Sequence, residues 1–455
     1  MSLPVLPTLE ELLHPKQQPT HVREQVRKTT DPLDPINLFR ISWRDDEGAI
    51  PHVVLPRALT QTKANVVVMS ARHFPTGSHK VGPAYSCLRE RVLFDHIDAS
   101  DRTLVFPSTG NYGIGGAWVG PRMGFRSLVV LPEEMSEERF AKIRGYGAEV
   151  IATPGSESNV KEIYDKVGEL RRDPANVILN QFEQLANYRF HWYVTGGSAR
   201  ELVGELHDAG VGDGRAAAFV SAMGSSGTIA AGDHLKERFP ECRIVGLEPV
   251  QCPTLFNVGY GAHAIEGIGD KHVTWIHNVR NMDLLLCIDD RECLRGLQLL
   301  EEGMETLAEE LSLDEAFVRA TRGMFGISSV CNILGAIKTA RYLDLEEGQN
   351  VVTVATDGFD RYPSVMRRLD KEEGPMTKEV AKRRVEIFTK ADAGAWALEG
   401  SERVRRRWHN QKYFTWVEQQ GKSVHELERL WDRDFWREEV AKLGDVEARC
   451  LELRA

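Results

Sequence analysis

Three loops rich in glycine and hydroxyl residues carry the side chains best suited to chemistry, and each follows a short apolar run. The first, Thr76-Gly77-Ser78-His79-Lys80, leads into the helical pattern VGPAYSCLRERVLF. At a helix N-terminus the dipole disfavours a charged amine, which suits Lys80 to forming a Schiff base. Taken alone, this loop favours a plain solvent-facing lysine. The second loop, Ser108-Thr109-Gly110-Asn111-Tyr112-Gly113, precedes IGGAWVG, and its successive N–H groups and hydroxyls would suit an anion. The third, Gly224-Ser225-Ser226-Gly227-Thr228, opens the helix IAAGDHLKERF, whose free N-terminal donors would suit a phosphate. It lacks the lysine of a P-loop and the GxGxxG spacing of a dinucleotide fold. Two anion pockets and one candidate lysine together imply a phosphorylated carbonyl cofactor and a carboxylate substrate. Pyridoxal 5'-phosphate meets both needs.

These loops must be positioned by the elements that precede them. Near-continuous apolar runs occupy 64–70, 103–108, 127–132, 149–154, 177–182, 216–223, 243–249 and 351–357, as expected for strands buried on both faces of a parallel sheet. Amphipathic stretches such as SEERFAKIRGYG and ESNVKEIYDKVGELRR lie between them, giving a βαβα rhythm. Ligands in such folds bind outside the carboxyl ends of the strands, where the three loops fall. The chain has 455 residues, enough for two or three domains, and its 42% hydrophobic content excludes a disordered or fibrous chain. A net charge of −10 disfavours nucleic acid as a partner, and no apolar run is long enough to span a membrane. The N-terminus lacks a signal-peptide layout. The seven cysteines are scattered and never spaced as CxxC, so buried thiols in a reducing cytoplasm are expected, with no metal cluster.

Composition shifts near residue 370. The stretch beyond it holds five of the nine tryptophans, Trp396, Trp408, Trp416, Trp431 and Trp436. Ser423 and Glu426 form a capping-box pattern ahead of Leu427, Leu430 and Trp431, and Gly421 would end the preceding helix. A helical extension is expected, its aromatic face covered by the body or by a second subunit. The Arg405–Arg407 run reads as a solvated helix face.

Across residues 64–362 the motifs PSTGNYGIGGAWVG, NQFEQLANYRFHWYVTGG, GSSGTIAAG, RIVGLEP, IEGIGD and GISSVCNILGAIKTARYL follow one another in an order that resembles the fold-type II pyridoxal-phosphate enzymes. Among these, the similarity is greatest to the cysteine synthase (O-acetylserine sulfhydrylase) and cystathionine β-synthase family. The resemblance implies two open twisted-sheet α/β domains of the tryptophan synthase β type, with the cofactor between them. The expected layout is an N-terminal extension over 1–60, a lysine-bearing domain over 61–185, a phosphate-binding domain over 186–370 and a helical extension over 371–455. By resemblance, Lys80 is the Schiff-base lysine, Asn111 contacts the cofactor's 3′-oxygen, and Gly224, Ser225, Ser226, Gly227 and Thr228 cradle its phosphate. Ser108, Thr109 and Tyr112 form the substrate-carboxylate loop, Gln181 helps to clamp that carboxylate, and Gly267 and Gly269 line the substrate side.

Three departures stand out. His79 and Val81-Gly82 flank the lysine where cysteine synthases differ, Tyr112 replaces a threonine and would narrow the pocket or offer a phenol, and ATDGFDR stands where the family has a hydroxyl residue beside the pyridine nitrogen. Thr356 would leave that nitrogen unprotonated and Asp357 would protonate it; Thr356 is the favoured partner. His73, His79 and His191 read as structural; Asp270, just after the IEGIG loop, could reach the substrate but reads by default as a loop-capping carboxylate; and His272, His277 and Asp283 lack metal-ligand spacing. The implied activity is β-replacement on a small L-amino acid through an aminoacrylate intermediate, in a cytoplasmic homodimer. The alternatives are β-elimination of the ammonia-lyase or cysteine-desulfhydrase type, giving a 2-oxo acid and ammonia, and a non-catalytic cofactor-binding scaffold.

Overall fold

The structure is a computed structural model that describes residues 6–108, 110–155 and 159–454. Eleven strands are assigned among them: β1 (His52–Val54), β2 (Asn65–Ser70), β3 (Thr103–Pro107), β4 (Arg126–Pro132), β5 (Glu149–Thr153), β6 (Asn176–Ile178), β7 (Ala216–Ala222), β8 (Arg243–Pro249), β9 (Leu284–Ile288), β10 (Asn350–Ala355) and β11 (Ala397–Glu399). They make two sheets, one ordered β1-β2-β10-β7-β8-β9-β11 and a smaller one ordered β5-β4-β3-β6. The smaller sheet is wholly parallel, whereas the larger has antiparallel edges at β1/β2 and β9/β11.

The valine-rich strands go where their composition sends them. Every residue of β10 is buried, as are Val66 through Ser70 of β2, because helices cover both faces. The helix Ile327–Tyr342 is buried along nearly its whole length against β10 and β7. The helices Val81–Asp95 and Asn111–Arg122 pack on one another, with Gly115 lying against the backbone of Lys80 and Val81.

β2 falls in the linear stretch 61–185, yet it pairs with β10 in parallel, from Asn65 opposite Asn350 to Ser70 opposite Ala355. The lysine loop therefore leaves the end of the larger sheet, while the 108–113 loop leaves the smaller one. Strands β1, β9 and β11 were not anticipated. LLLCI at β9 is five consecutive buried apolar residues, a pattern that a helix would also satisfy.

The C-terminal extension is mostly helical, but β11 also adds an edge to the larger sheet. Its tryptophans pack on the body: Trp408 and Trp416 are fully buried and Trp436 nearly so. The capping box of Ser423 and Glu426 forms as the sequence predicts. The helix Arg433–Glu452 returns to the chain's beginning, where Glu447 accepts from the Leu9 N–H (2.8 Å) and Arg89 (3.0 Å). Arg454 binds Glu11 (2.9 Å) and the Leu6 carbonyl (2.8 Å). All seven cysteines are buried and unpaired, as the sequence leads one to expect.

Candidate active site

β2 ends at Ser70, and the following loop is pinned to the end of β10 by a Ser78–Asp357 bridge and by the Ala71 N–H on the Ala355 carbonyl (3.0 Å). Lys80 caps the helix Val81–Asp95, and its Nζ lies 3.3 Å from the Ser225 hydroxyl. Burial lowers its free amine to about 8, against an opposing pull from the Asp270 carboxylate. His79 is buried, kept neutral by desolvation, stacked on Trp43 and hydrogen-bonded to the Thr228 hydroxyl (3.0 Å). His73 and His191 are likewise held by hydrogen bonds, to the Ser42 carbonyl and the Thr195 hydroxyl.

The loop Gly224–Thr228 follows β7 and precedes the helix Ala230–Arg238. Its five backbone N–H groups donate to no protein acceptor among the described residues, although Ser225, Ser226 and Thr228 are all buried. Its closeness to its neighbours requires glycine. A Cβ at Gly224 would lie 2.6 Å from the Gly267 carbonyl oxygen, and one at Gly227 would lie 2.1 Å from Asn187 Oδ1. Asn187 donates to both the Ser225 hydroxyl (3.2 Å) and the Gln181 carbonyl (2.9 Å), tying cradle to clamp. Five unpaired N–H groups at a helix N-terminus, a buried hydroxyl and an adjacent amine fit the phosphate and aldehyde ends of pyridoxal phosphate.

At the end of β3, the Ser108 hydroxyl accepts from the N–H groups of Gly110 (2.9 Å) and Gly113 (2.7 Å), shaping the turn from within. Gly110 has φ of +140°, and a Cβ there would meet Arg139 at 2.2 Å. The N–H groups of Asn111 and Tyr112, the first turn of the helix, have no protein acceptor among the described residues. Thr109 lies outside the described residues. Gln181 is buried beside this loop, its amide 3.4 Å from the Pro107 carbonyl.

Two expectations need correction. The Tyr112 phenol neither narrows the cleft nor lines it. Its ring sits in the core against Phe106 and its hydroxyl donates to the Leu179 carbonyl (3.1 Å), so only its backbone N–H remains for a substrate. Asp270 is not a loop cap: it is buried with both carboxylate oxygens unpartnered. Burial raises it to about 7, against the pull of Lys80.

The candidate partners of the ring nitrogen separate by burial. Asp357 is fully buried and receives hydrogen bonds from Asn111 (2.6 Å) and Tyr362 (2.9 Å), with Arg139 at 3.5 Å. Thr356 is partly open, its hydroxyl 2.6 Å from that of Ser328. The amide oxygen of Asn111 accepts from Arg361 (2.9 Å), so both ends of this side chain are engaged. Arg139 also binds Glu266 (2.6 Å) and the Tyr362 hydroxyl (2.8 Å), joining the 108–113 loop, the end of β10 and the loop bearing Gly267 and Gly269. Sequence reasoning missed Arg139, Glu266, Arg361, Tyr362 and Asn187. In the sequence they stand among other polar and charged residues, as in SEERFAKIRGYG, NQFEQLANYRF and DGFDRY, and only burial picks them out as a network.

Comparison with known proteins agrees with this geometry. The profile of the pyridoxal-phosphate dependent enzyme family matches residues 44–357. Cysteine synthase of Staphylococcus aureus is 30% identical over 319 residues, covering 70% of this chain and 93% of that protein. Cystathionine beta-synthase of Saccharomyces cerevisiae is 31% identical over 249 residues, covering 52% of this chain and 48% of that protein. The crystal structure of a hydrogen sulfide-producing enzyme from Fusobacterium nucleatum superposes with a TM-score of 0.57 at 26% identity, covering 70% of this chain and 88% of that one. An orphaned anion cradle, an amine beside it and a family match spanning both sheets lead to one conclusion: the chain belongs to the fold-type II pyridoxal-phosphate-dependent enzymes, in the cysteine synthase family.

Proposed function

We propose that the protein catalyses β-replacement on a small L-amino acid, with Lys80 as its acid–base group. The observation that carries this reading is the Lys80 amine, 3.3 Å from Ser225 on a loop of unpaired N–H groups. When bound, pyridoxal phosphate supplies a conjugated ring that takes up the negative charge left at Cα when its proton is removed. The N–H groups of Gly224 to Thr228 hold the phosphate. Those of Asn111 and Tyr112, in the loop of Ser108 and Thr109 with Gln181 beside it, hold the substrate carboxylate at the positive end of a helix. Lys80 would take the proton from Cα of a bound substrate; an amine lowered to about 8 suits that transfer near neutral pH. With the cofactor bound, Thr356 would offer the ring nitrogen a hydroxyl rather than a carboxylate, and Asn111, held by Asp357, would contact the ring's oxygen side. Gly267 keeps the substrate side open, since no atom lies within 4 Å of where its Cβ would be. Asp270, beyond that loop, takes the proton of the second reactant.

The names of the curated relatives support replacement. A second reading, β-elimination, is favoured by the name of the Fusobacterium enzyme and by Asp270, which could equally activate water. The homodimer and the cytoplasmic setting, in which seven unpaired buried thiols would persist, belong to the same proposal.

The test is a scan of purified protein with O-acetylserine, O-phosphoserine, serine and cysteine, with and without sulfide, followed by visible absorbance and product analysis. Sulfide-dependent formation of an amino acid is expected. Release of a 2-oxo acid and ammonia from every substrate, with sulfide ignored, would replace this reading by elimination. A coloured protein that turns over none of them would leave the scaffold.

A further inference from the structure

The family match ends at residue 357, so nothing in it assigns work to the C-terminal extension. Three of the extension's buried side chains nonetheless donate to backbone carbonyls around the site. Lys412 binds the carbonyls of Trp275 (2.9 Å) and His277 (2.7 Å), Trp416 Nε1 binds that of Val273 (2.8 Å), and Trp408 Nε1 binds that of Leu255 (2.9 Å). Lys412 is fully buried, and no carboxylate pairs with it among the described residues. Burial pushes its amine down to about 7. A buried amine without a counter-ion is costly, and a methionine would fill the same volume without that cost. What the lysine provides is two donors, one to the Trp275 carbonyl, which has no other donor among the described residues, and one to the His277 carbonyl, which it shares with the Val279 N–H (2.9 Å).

The stretch it holds is bonded on its other side to the active site. The Thr274 hydroxyl donates to the Ser225 carbonyl of the phosphate loop (3.0 Å), and the Trp275 N–H donates to the Phe182 carbonyl (2.9 Å), next to Gln181. Residues 273–277 are thus a strut with the extension behind it and both cradle and clamp in front. We propose that Lys412 and Trp416 are positioning residues: through residues 273–277 they set the phosphate loop and thereby the affinity for the cofactor. The proposal rests on the reading of Gly224–Thr228 as the phosphate cradle.

The test uses the full-length protein and the variants Lys412→Met, Trp416→Phe, Thr274→Val and Thr274→Ser. It measures the pyridoxal phosphate dissociation constant by visible absorbance, the phosphorus NMR signal of the bound phosphate, and the melting temperature of each cofactor-free form. We expect Lys412→Met and Thr274→Val each to weaken cofactor binding at least tenfold and to move the phosphorus signal. Trp416→Phe, which removes one donor and keeps the ring, should do so to a smaller extent, and Thr274→Ser should restore wild-type binding. The double variant Lys412→Met/Thr274→Val should be no worse than the weaker single one, because both cut the same strut. Wild-type affinity and phosphorus signal in Lys412→Met and Trp416→Phe would overturn the positioning role and leave the cradle standing. A wild-type protein that binds no pyridoxal phosphate would overturn the cradle and this proposal with it.

Discussion

Lys80 follows β2 and Asp270 follows β8 at the same end of the larger sheet, their charges interact, and each is displaced by burial in the direction that keeps it uncharged. Lys80→Ala should remove both the covalently held chromophore and turnover, as read by absorbance after borohydride reduction and by product assay. Asp270 makes a sharper prediction because its sign can be worked out. Raised to about 7, it is ionised only as pH climbs through that value, so a step that needs it as a base accelerates over the same range. Asp270→Asn should flatten that limb of the pH–rate profile and lower kcat by about 10²-fold; an unchanged profile would remove Asp270 from the chemistry. Its stability effect runs the other way. An unfolded aspartate titrates near ~3.9, so the native chain holds an extra proton between about pH 4 and 7, and stability declines as pH rises through that window. Asp270→Asn should lessen that decline, as followed by melting temperature across the range.

Two of the glycine loops lie in backbone contact, which makes the cradle a joint property of loops from β7 and β8. Gly224→Ala would place a methyl 2.6 Å from the Gly267 carbonyl, with main chain on both sides. Overpacking of that kind costs about 1–3 kcal/mol, which corresponds to roughly 5- to 150-fold in cofactor affinity if the holo form bears it. A titration of cofactor into the variant checks this, and unaltered affinity would mean that the loops part freely. The strands and helices that aim these loops were legible because parallel strands write themselves as unbroken valine and isoleucine runs. The three loops were legible because glycines and hydroxyls cluster at strand ends. Sequence order could not place β2 in the larger sheet, since pairing with β10 spans nearly 300 residues of chain. Nor could it show that the Tyr112 ring points into the core: at the first turn of a helix, one position separates cleft from interior.

For the whole molecule, the extension contributes to closure as well as covering a surface. It pairs β11 with β9, buries Trp408 and Trp416, and caps the carbonyls of Leu255 and Val273. Deleting 375–455 should expose the β9 edge and apolar surface, giving a chain that aggregates or changes oligomeric size in light scattering. A truncated chain of unchanged size, solubility and turnover would show the extension to be dispensable. The clasp between the helix Arg433–Glu452 and residues 6–11 reaches further still. During synthesis residues 6–11 leave the ribosome long before the helix that clasps them, and their hydrogen bonds to Glu447 and Arg454 form only once it has followed. That corner of the fold therefore closes late, and a chain interrupted before Glu447 and Arg454 keeps a loose segment at 6–11.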